Sequence, residues 1–180
     1  MADITAEMVY LGAAVVCAFG GAICDYRSRR IPNWLTGSSI GLGLVLHLVL
    51  DGWRSLAGAM LAGLAAGGVF LVFYLAGGMG GGDVKLITAV GSCAGLGHVA
   101  AILIATAIAG GIFAVVLALT AGRLKQTLAN VAKLLSHHGS AGLHPHPDLN
   151  VQNSRTLRLP YGMAIGAGTA MILVGALLEQ

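Results

Sequence analysis

Long runs of apolar residues separated by short polar clusters are the dominant pattern of the sequence. Uncharged tracts extend over residues 8–24, 31–50, 55–82, 86–122 and 159–178. A transmembrane helix needs about 20 predominantly apolar residues, because it rises ~1.5 Å per residue and the hydrocarbon core is ~30 Å thick. Each tract meets this requirement, so the pattern predicts an all-α, polytopic membrane protein.

The tract over residues 86–122 is too long for one crossing. As a single helix it would measure roughly 55 Å, nearly twice the thickness of the hydrocarbon core. Glycine breaks helices and supports tight turns, which favours a turn at Gly95-Leu96-Gly97-His98. This turn divides the tract into a short fourth helix and a longer fifth one. The prediction is six transmembrane helices.

The basic residues support this count and orient the helices. With six helices, the turns after the first, third and fifth share one side of the membrane, and they hold nine of the ten Lys and Arg residues. Only Arg54 lies on the other side. Lys and Arg are enriched in cytoplasmic loops, so these turns are predicted to be cytoplasmic and both termini to lie outside.

A cytoplasmic loop over about residues 123–158 is the one long hydrophilic part of a single membrane-embedded domain that spans residues 1–180. Apolar residues on one helical face predict a short amphipathic helix in the interface plane. They are Leu124, Leu128, Val131 and Leu135. Potential metal ligands follow at His137, His138, His144, His146 and Asp148. Their spacing matches no compact ligand motif, so a solvated loop without a metal is predicted.

Composition excludes several classes of protein. With 57% hydrophobic residues, 9% charged residues and a mean hydropathy of +0.85, the chain lacks the polar surface of a water-soluble domain. The basic residues are scattered between apolar tracts, so they read as topology signals and no nucleic-acid partner is predicted.

Four GxxxG pairs predict close helix packing: Gly37 and Gly41, Gly63 and Gly67, Gly91 and Gly95, and Gly162 and Gly166.

Two of the seven acidic residues stand out, because the other five can be placed in termini or hydrophilic turns. Asp25 ends the first tract, and Asp83 follows the glycine-rich run 77–82, so both are predicted at the cytoplasmic ends of helices. A carboxylate at that depth is costly unless it has a role or a partner. Two structural explanations remain open: Asp25 pairs with Arg27 or Arg29, and Asp83 caps the fourth helix.

A pair of carboxyl groups also has a chemical use. Two carboxyls on one face cannot both ionise cheaply, so they share a proton and activate a water molecule. One accepts a proton from the water while the other protonates the developing oxyanion, without a cofactor or metal. This is the aspartyl protease arrangement. The positions at helix ends add a hypothesis. The positive end of a helix dipole favours the charged form of Asp83 at an N-terminus, and the negative end disfavours the charged form of Asp25 at a C-terminus. Asp83 would then act as the base.

Three stretches resemble the signature motifs of type IV prepilin peptidases. They cover residues 25–33, 78–86 and 159–162, with the sequences DYRSRRIPN, GMGGGDVKL and LPYG. The stretch over residues 80–83 matches the GxGD motif that this family shares with presenilin-type proteases. The likeness is greatest to the small peptidases that serve Flp pili in tight-adherence systems.

The resemblance implies an aspartyl endopeptidase of the bacterial inner membrane, with periplasmic termini. It implies cleavage of pilin precursors on the cytoplasmic side, between a short basic leader and a hydrophobic helix. Asp25 and Asp83 match the catalytic aspartates. Supporting residues in the motifs are Gly80, Gly82, Lys85, Arg30, Pro32, Asn33, Pro160, Tyr161 and Gly162. Larger members that also methylate the new N-terminus carry paired CxxC motifs, which are missing before Asp25, so methylation is not expected.

General chemistry assigns roles to some of these residues. Asn33 is predicted to cap the second helix, and Pro160 to lie in the first turn of the sixth. Lys85 is either a topology anchor or a neighbour that lowers the pKa of an aspartate. The cations of the first turn, Arg27, Arg29 and Arg30, are expected to contact anionic lipid head groups.

Two other functions remain open from the sequence. A transporter or channel also uses intramembrane aspartates and glycine-broken helices, although it predicts acids near the midplane of the membrane. A non-catalytic subunit of a pilus or secretion machine predicts that both aspartates are dispensable. A metalloprotease is disfavoured because the sequence contains no HExxH motif.

Overall fold

The structure, a computed structural model, describes residues 2–142 and 161–179. This part of the chain is helical, with helices and short turns and no strand. The helices are α1 (Ala2–Ser28), α2 (Asn33–Leu75), α3 (Gly81–Ala94), α4 (Leu96–Thr120), α5 (Leu124–Ala141) and α6 (Tyr161–Leu178). The prediction of an all-α protein is confirmed. Pro160 and the histidines at 144 and 146 lie outside the described residues.

Helix α2 is a hairpin of two helical arms rather than one straight rod. Its helical geometry breaks at Gly52, where φ is 76° and ψ is −167°. Both ends of α2 reach the start of α3: Asn33 accepts a hydrogen bond from Lys85 at 2.9 Å, and the Tyr74 ring lies beside Gly81. The arms 33–51 and 53–75 therefore run antiparallel. This break confirms the predicted turn around Arg54.

The arm 53–75 ends earlier than the uncharged tract that contains it. The helix stops at Leu75, and a turn follows in which the Gly77 φ is 77°. A left-handed φ costs glycine little because it has no Cβ. The glycine-rich run therefore serves as a loop that leads into α3 and delivers Asp83 to its first turn.

Helix α3 is the central helix of the bundle. It has 14 residues, and eight of the last nine, from Leu86 onward, are buried. Gly43 of one α2 arm packs against the backbone of Ser92 and Cys93, and Gly63 and Gly67 of the other arm pack against Ser92 and Thr88. At Gly95 the φ is 76° and α4 begins at the next residue, which confirms the predicted turn.

Helix α6 runs antiparallel to both α1 and α4. Gly162 lies against Asp25 and Gly166 against Ala22, whereas Gly168 packs on Thr106 of α4. Small residues at these crossings let the backbones approach closely. The GxxxG prediction of close helix packing is confirmed for both members of the pair Gly63 and Gly67, and for one member of two further pairs, Gly91 and Gly162. It is wrong for Gly37 and Gly41, whose faces meet nothing within 4 Å.

A polar network holds the end of the bundle where Gly52 and Gly95 form their turns. Tyr10 donates a hydrogen bond to Asp51 at 2.7 Å and stacks on His47 with a centroid distance of 3.7 Å. The His47 ring contacts the Cys93 carbonyl oxygen at 3.1 Å, and His98 pairs with Glu7 at 3.0 Å. This network connects α1 to both turns, at the opposite end of α1 from Asp25.

Within residues 2–142 and 161–179, four helices are long and apolar enough to cross a membrane: Thr5–Ser28, Asn33–Leu75, Leu96–Thr120 and Tyr161–Leu178. These are properties of a multi-pass membrane protein. Helix α5 forms where the amphipathic pattern predicted a helix, and its apolar residues Leu128 and Val131 are exposed.

Candidate active site

Asp25 lies in the last turn of α1, where the chain changes direction sharply. Arg29 adopts a left-handed φ of 50°, and its N–H donates to the Asp25 carbonyl oxygen at 2.8 Å. The Ser28 hydroxyl donates to the Cys24 carbonyl oxygen at 2.8 Å. These bonds satisfy carbonyl groups at the helix end. They leave the half-buried Asp25 side chain free to face α6.

The Asp25 carboxylate is held from the opposite side by the start of α6. The Gly162 N–H donates to Asp25 Oδ2 at 3.2 Å. Asp25 forms no ion pair with Arg27 or Arg29, and both arginine side chains are exposed. The structure therefore does not support the alternative in which Asp25 pairs with a neighbouring arginine.

Asp83 lies in the first turn of α3, directly after the glycine-rich turn. Gly80 occupies the N-cap position with extended geometry, and its N–H donates to Asp83 Oδ2 at 3.1 Å. The side chain thus caps the helix, as the structural alternative predicted. Capping uses one of its oxygens, so the carboxyl group also remains available to face Asp25.

The glycines around Asp83 make room for the protein's own side chains. Gly82 faces Ile31, with a hypothetical Cβ 3.4 Å from the Ile31 Cβ, and Gly81 faces the Tyr74 ring at 3.5 Å. A Cβ at Gly80 would lie 3.2 Å from Asp83 Oδ2. A methyl group at Gly81 or Gly82 would make ordinary contacts, whereas one at Gly80 would press on the Asp83 carboxylate.

The two carboxyl groups, which belong to different helices, interact electrostatically. Asp83 lies outside the four candidate spans and precedes the buried run that begins at Leu86. Burial raises the pKa of Asp83 from 3.8 to about 6, with a further contribution from the Asp25 charge, while the Gly80 hydrogen bond lowers it. The helix-end hypothesis is therefore wrong in sign for Asp83, because burial and the second carboxylate outweigh the helix N-terminus and favour the neutral form.

Residues of the motifs at 25–33 and 78–86 link the start of α2 to the start of α3. Lys85 Nζ donates to Asn33 Oδ1 at 2.9 Å. Pro32, not Asn33, is the N-cap of α2, and it makes no side-chain cap bond. The prediction that Asn33 caps the helix is thus wrong, because Lys85 engages its amide. Arg30 is exposed, and its carbonyl accepts from Ser28 at 3.1 Å.

Tyr161 closes the site from the start of α6. Its ring meets Phe70 edge to face, with a centroid distance of 6.0 Å, and its hydroxyl lies over Gly110, where a Cβ would come within 3.0 Å. It is also near enough to Asp83 for an electrostatic interaction. Sequence reasoning missed Phe70 and Gly110, since within long apolar tracts nothing distinguishes them from lipid-facing or packing residues.

The arrangement suits acid–base chemistry on a water molecule. Asp25 and Asp83 lie near enough at one end of the bundle for their charges to interact, and the Asp83 carboxyl has a raised affinity for a proton. A carboxylate beside a neutral carboxyl accepts a proton from water and donates one to an oxyanion. The described residues contain no group of three or more His, Cys, Asp or Glu that could hold a metal ion.

Comparison with known proteins gives one match. The sequence profile of the type IV leader peptidase family matches residues 10–115. No curated protein and no solved structure gave a significant match. The matched range includes Asp25 and Asp83 but ends before α6. The family match therefore gives no information on the contact of Gly162 with Asp25, which comes from the structure.

Proposed function

Because the chain belongs to the type IV leader peptidase family, we propose that it is an aspartyl endopeptidase that removes leader peptides from pilin precursors. The observation that supports this proposal is the electrostatic interaction of Asp25 with Asp83, which come from separate helices and lie at the same end of the bundle. The motif resemblance points to precursors of the Flp type. Such a precursor has a short basic leader before an apolar helix.

The proposed mechanism divides acid and base roles between the two aspartates. The Asp25 carboxylate accepts a proton from a water molecule while the water oxygen attacks the scissile carbonyl carbon. Neutral Asp83 donates its proton to the carbonyl oxygen, giving a tetrahedral diol. The diol then collapses: the C–N bond breaks, the proton on Asp25 passes to the leaving amine, and one diol hydroxyl returns a proton to the Asp83 carboxylate, which restores both groups. The Gly162 and Gly80 N–H groups keep the two carboxyls oriented.

We propose six membrane spans with the aspartates at the cytoplasmic face of the inner membrane. The two arms of α2 count as separate spans, and the buried part of α3, from Leu86 onward, forms a short crossing inside the bundle, with Asp83 at its cytoplasmic end and outside the crossing. The end that holds the aspartates also carries Arg27, Lys85 and Arg123, whereas Arg54 lies at the other end. This charge distribution favours a cytoplasmic site and periplasmic termini.

Membrane lipids are proposed partners of the same end. Arg27, Arg29 and Arg30 are exposed, as are Lys125 and Lys133 of α5. Basic side chains at this depth attract anionic head groups, while Leu128 and Val131 of α5 face the acyl region. Helix α5 then lies on the cytoplasmic surface.

Transport is the less favoured function. A transporter places its acids near the middle of spanning helices. Here Asp25 lies in the last turn of α1 and Asp83 in the first turn of α3. Both positions are typical of a site that receives a substrate from one face.

The rate of cleavage is expected to fall as the pH rises through about 6. Asp83 must be protonated to act as the acid, and its pKa is raised from 3.8 to about 6. The protonated fraction is large below this value and decreases roughly tenfold per pH unit above it. Rates for a precursor peptide measured from about pH 3 to 8 test this. A limb near pH 4 would instead indicate that Asp83 has an ordinary pKa.

Cleavage itself is tested with a purified precursor and the purified protein in lipid vesicles. Mass spectrometry is expected to show one cut, at the junction between leader and helix, and a chelator is expected to leave the rate unchanged. Vesicles with Asp25 and Asp83 both changed to Asn are the control. An uncut precursor, or equal cutting by wild type and control, would contradict the proposal.

A further inference from the structure

Gly21 of α1 and Leu86 of α3 make a very close contact beside the two aspartates. Leu86 is fully buried, and its branched end rests on the Gly21 backbone. A Cβ at Gly21 would lie 2.6 Å from Leu86 Cδ2 and 3.0 Å from its Cγ, closer than carbon atoms approach. No side chain larger than hydrogen fits at Gly21 unless Leu86 or one of the helices moves.

This contact lies one helical turn from each aspartate. Gly21 is four residues before Asp25, and Leu86 is three residues after Asp83. Residues four or three apart in a helix lie on the same face. A change in the distance between α1 and α3 at Gly21 therefore acts directly on the separation of the two carboxyl groups.

Neighbouring glycines of α1 do not share this close approach. A Cβ at Gly20 would meet Leu35 at an ordinary distance of 3.4 Å, and a Cβ at Gly12 would meet nothing within 4 Å. The close contact of α1 with α3 is thus specific to Gly21. The presence of glycine in α1 does not by itself produce a close contact, because Gly12 and Gly20 have none.

We propose that Gly21 and Leu86 form a positioning pair that sets the separation of α1 and α3, and through it the spacing of Asp25 and Asp83. This inference rests on the proposed function. Neither residue touches the reacting groups. The pair acts by holding the aspartates close enough for one proton to serve both.

Gly21→Ala is the first test. The added methyl group pushes Leu86 and α3 away, and misplacement of catalytic groups by about 1 Å costs on the order of 100-fold in rate. We expect kcat to fall roughly 10- to 100-fold with little change in KM. The high-pH limb of the rate profile is expected to move to lower pH, because Asp25 repels the charged form of Asp83 less when it is farther away.

Rescue distinguishes positioning from general damage. In the Gly21→Ala/Leu86→Ala double variant the overlapping atoms of Leu86 are gone, so kcat and the pH limb are expected to return toward wild type. Gly20→Ala and Gly12→Ala are matched controls and are expected to behave as wild type. If Gly21→Ala does not fold, the double variant decides: recovery of folded, active protein supports the pair, and no recovery overturns it.

A second readout separates this inference from the proposed function. The titration of Asp83, followed by carbon NMR of labelled aspartate, needs no substrate. Gly21→Ala is expected to shift it to lower pH, and the double variant to restore it. If the wild type cuts no precursor but these shifts occur, the proposed function fails and the positioning pair stands. A folded Gly21→Ala variant with wild-type Asp83 titration overturns the pair.

Discussion

Asp25→Asn and Asp83→Asn are each expected to lower the rate of precursor cleavage on the order of 10³-fold or more. Asparagine has nearly the size of aspartate, but its amide neither accepts a proton from water nor donates one to an oxyanion. Its oxygen still accepts the hydrogen bonds that Gly162 and Gly80 donate to the aspartates. The folded structure is therefore expected to survive while the chemistry is lost.

Asp51→Asn is the matched control for these two variants. Asp51 lies at the opposite end of the bundle and accepts a hydrogen bond from Tyr10 at 2.7 Å, which an asparagine oxygen also accepts. Initial rates of cleavage in lipid vesicles, measured by mass spectrometry, compare the three variants. A near-wild-type rate for Asp25→Asn or Asp83→Asn would show that one carboxyl suffices. An equally inactive Asp51→Asn would indicate an indirect effect.

The two aspartates were predictable from the sequence, but their environment was not. Few acids occur in the chain, so the two that are not placed in termini or hydrophilic turns are conspicuous. Their protonation depends on burial and on each other, which are properties of the folded state. For Asp83 these effects oppose the helix N-terminus and exceed it. An argument from helix ends alone therefore gave the wrong sign.

The helix breaks were predicted well because their causes are local. Gly52 lies in the charged turn between two apolar tracts, and Gly95 lies beside Gly97 within a tract that is too long for one crossing. Both Gly52 and Gly95 adopt a left-handed φ of 76°. The end of the second α2 arm at Leu75 was not predicted, since the glycine-rich run that follows is as uncharged as the helix. Hydropathy measures polarity and does not register the conformational freedom of glycine.

Helix packing was predicted only in part, because it depends on residues that face each other from distant parts of the chain. The spacing of Gly63 and Gly67 is the same as that of Gly37 and Gly41, yet only the first pair faces α3. Gly21 belongs to no GxxxG pair, so its spacing in the sequence does not mark it as a packing residue. Its close contact with Leu86 is seen only in the folded structure. Local spacing indicates which faces can pack, whereas the fold decides which do.

Gly162→Ala is expected to lower the rate of cleavage roughly 100-fold. The new Cβ would lie 3.1 Å from Asp25 Cβ, 3.2 Å from its Oδ2 and 3.3 Å from Ala22 Cα. Because the Ala22 backbone cannot give way, α6 must move back, which weakens the hydrogen bond from the Gly162 N–H and turns the carboxylate away from Asp83. The rate of precursor cleavage measures the loss.

Gly166→Ala is the matched control, one turn further along the same face of α6. Its Cβ would meet Ala22 Cβ at an ordinary 3.6 Å, so both the activity and the midpoint of thermal unfolding are expected to stay close to wild type. If Gly162→Ala shows the same rate as Gly166→Ala, the contact of α6 with Asp25 has no part in catalysis. A large loss in Gly162→Ala with an unchanged midpoint shows that α6 orients the carboxylate as well as packing against α1.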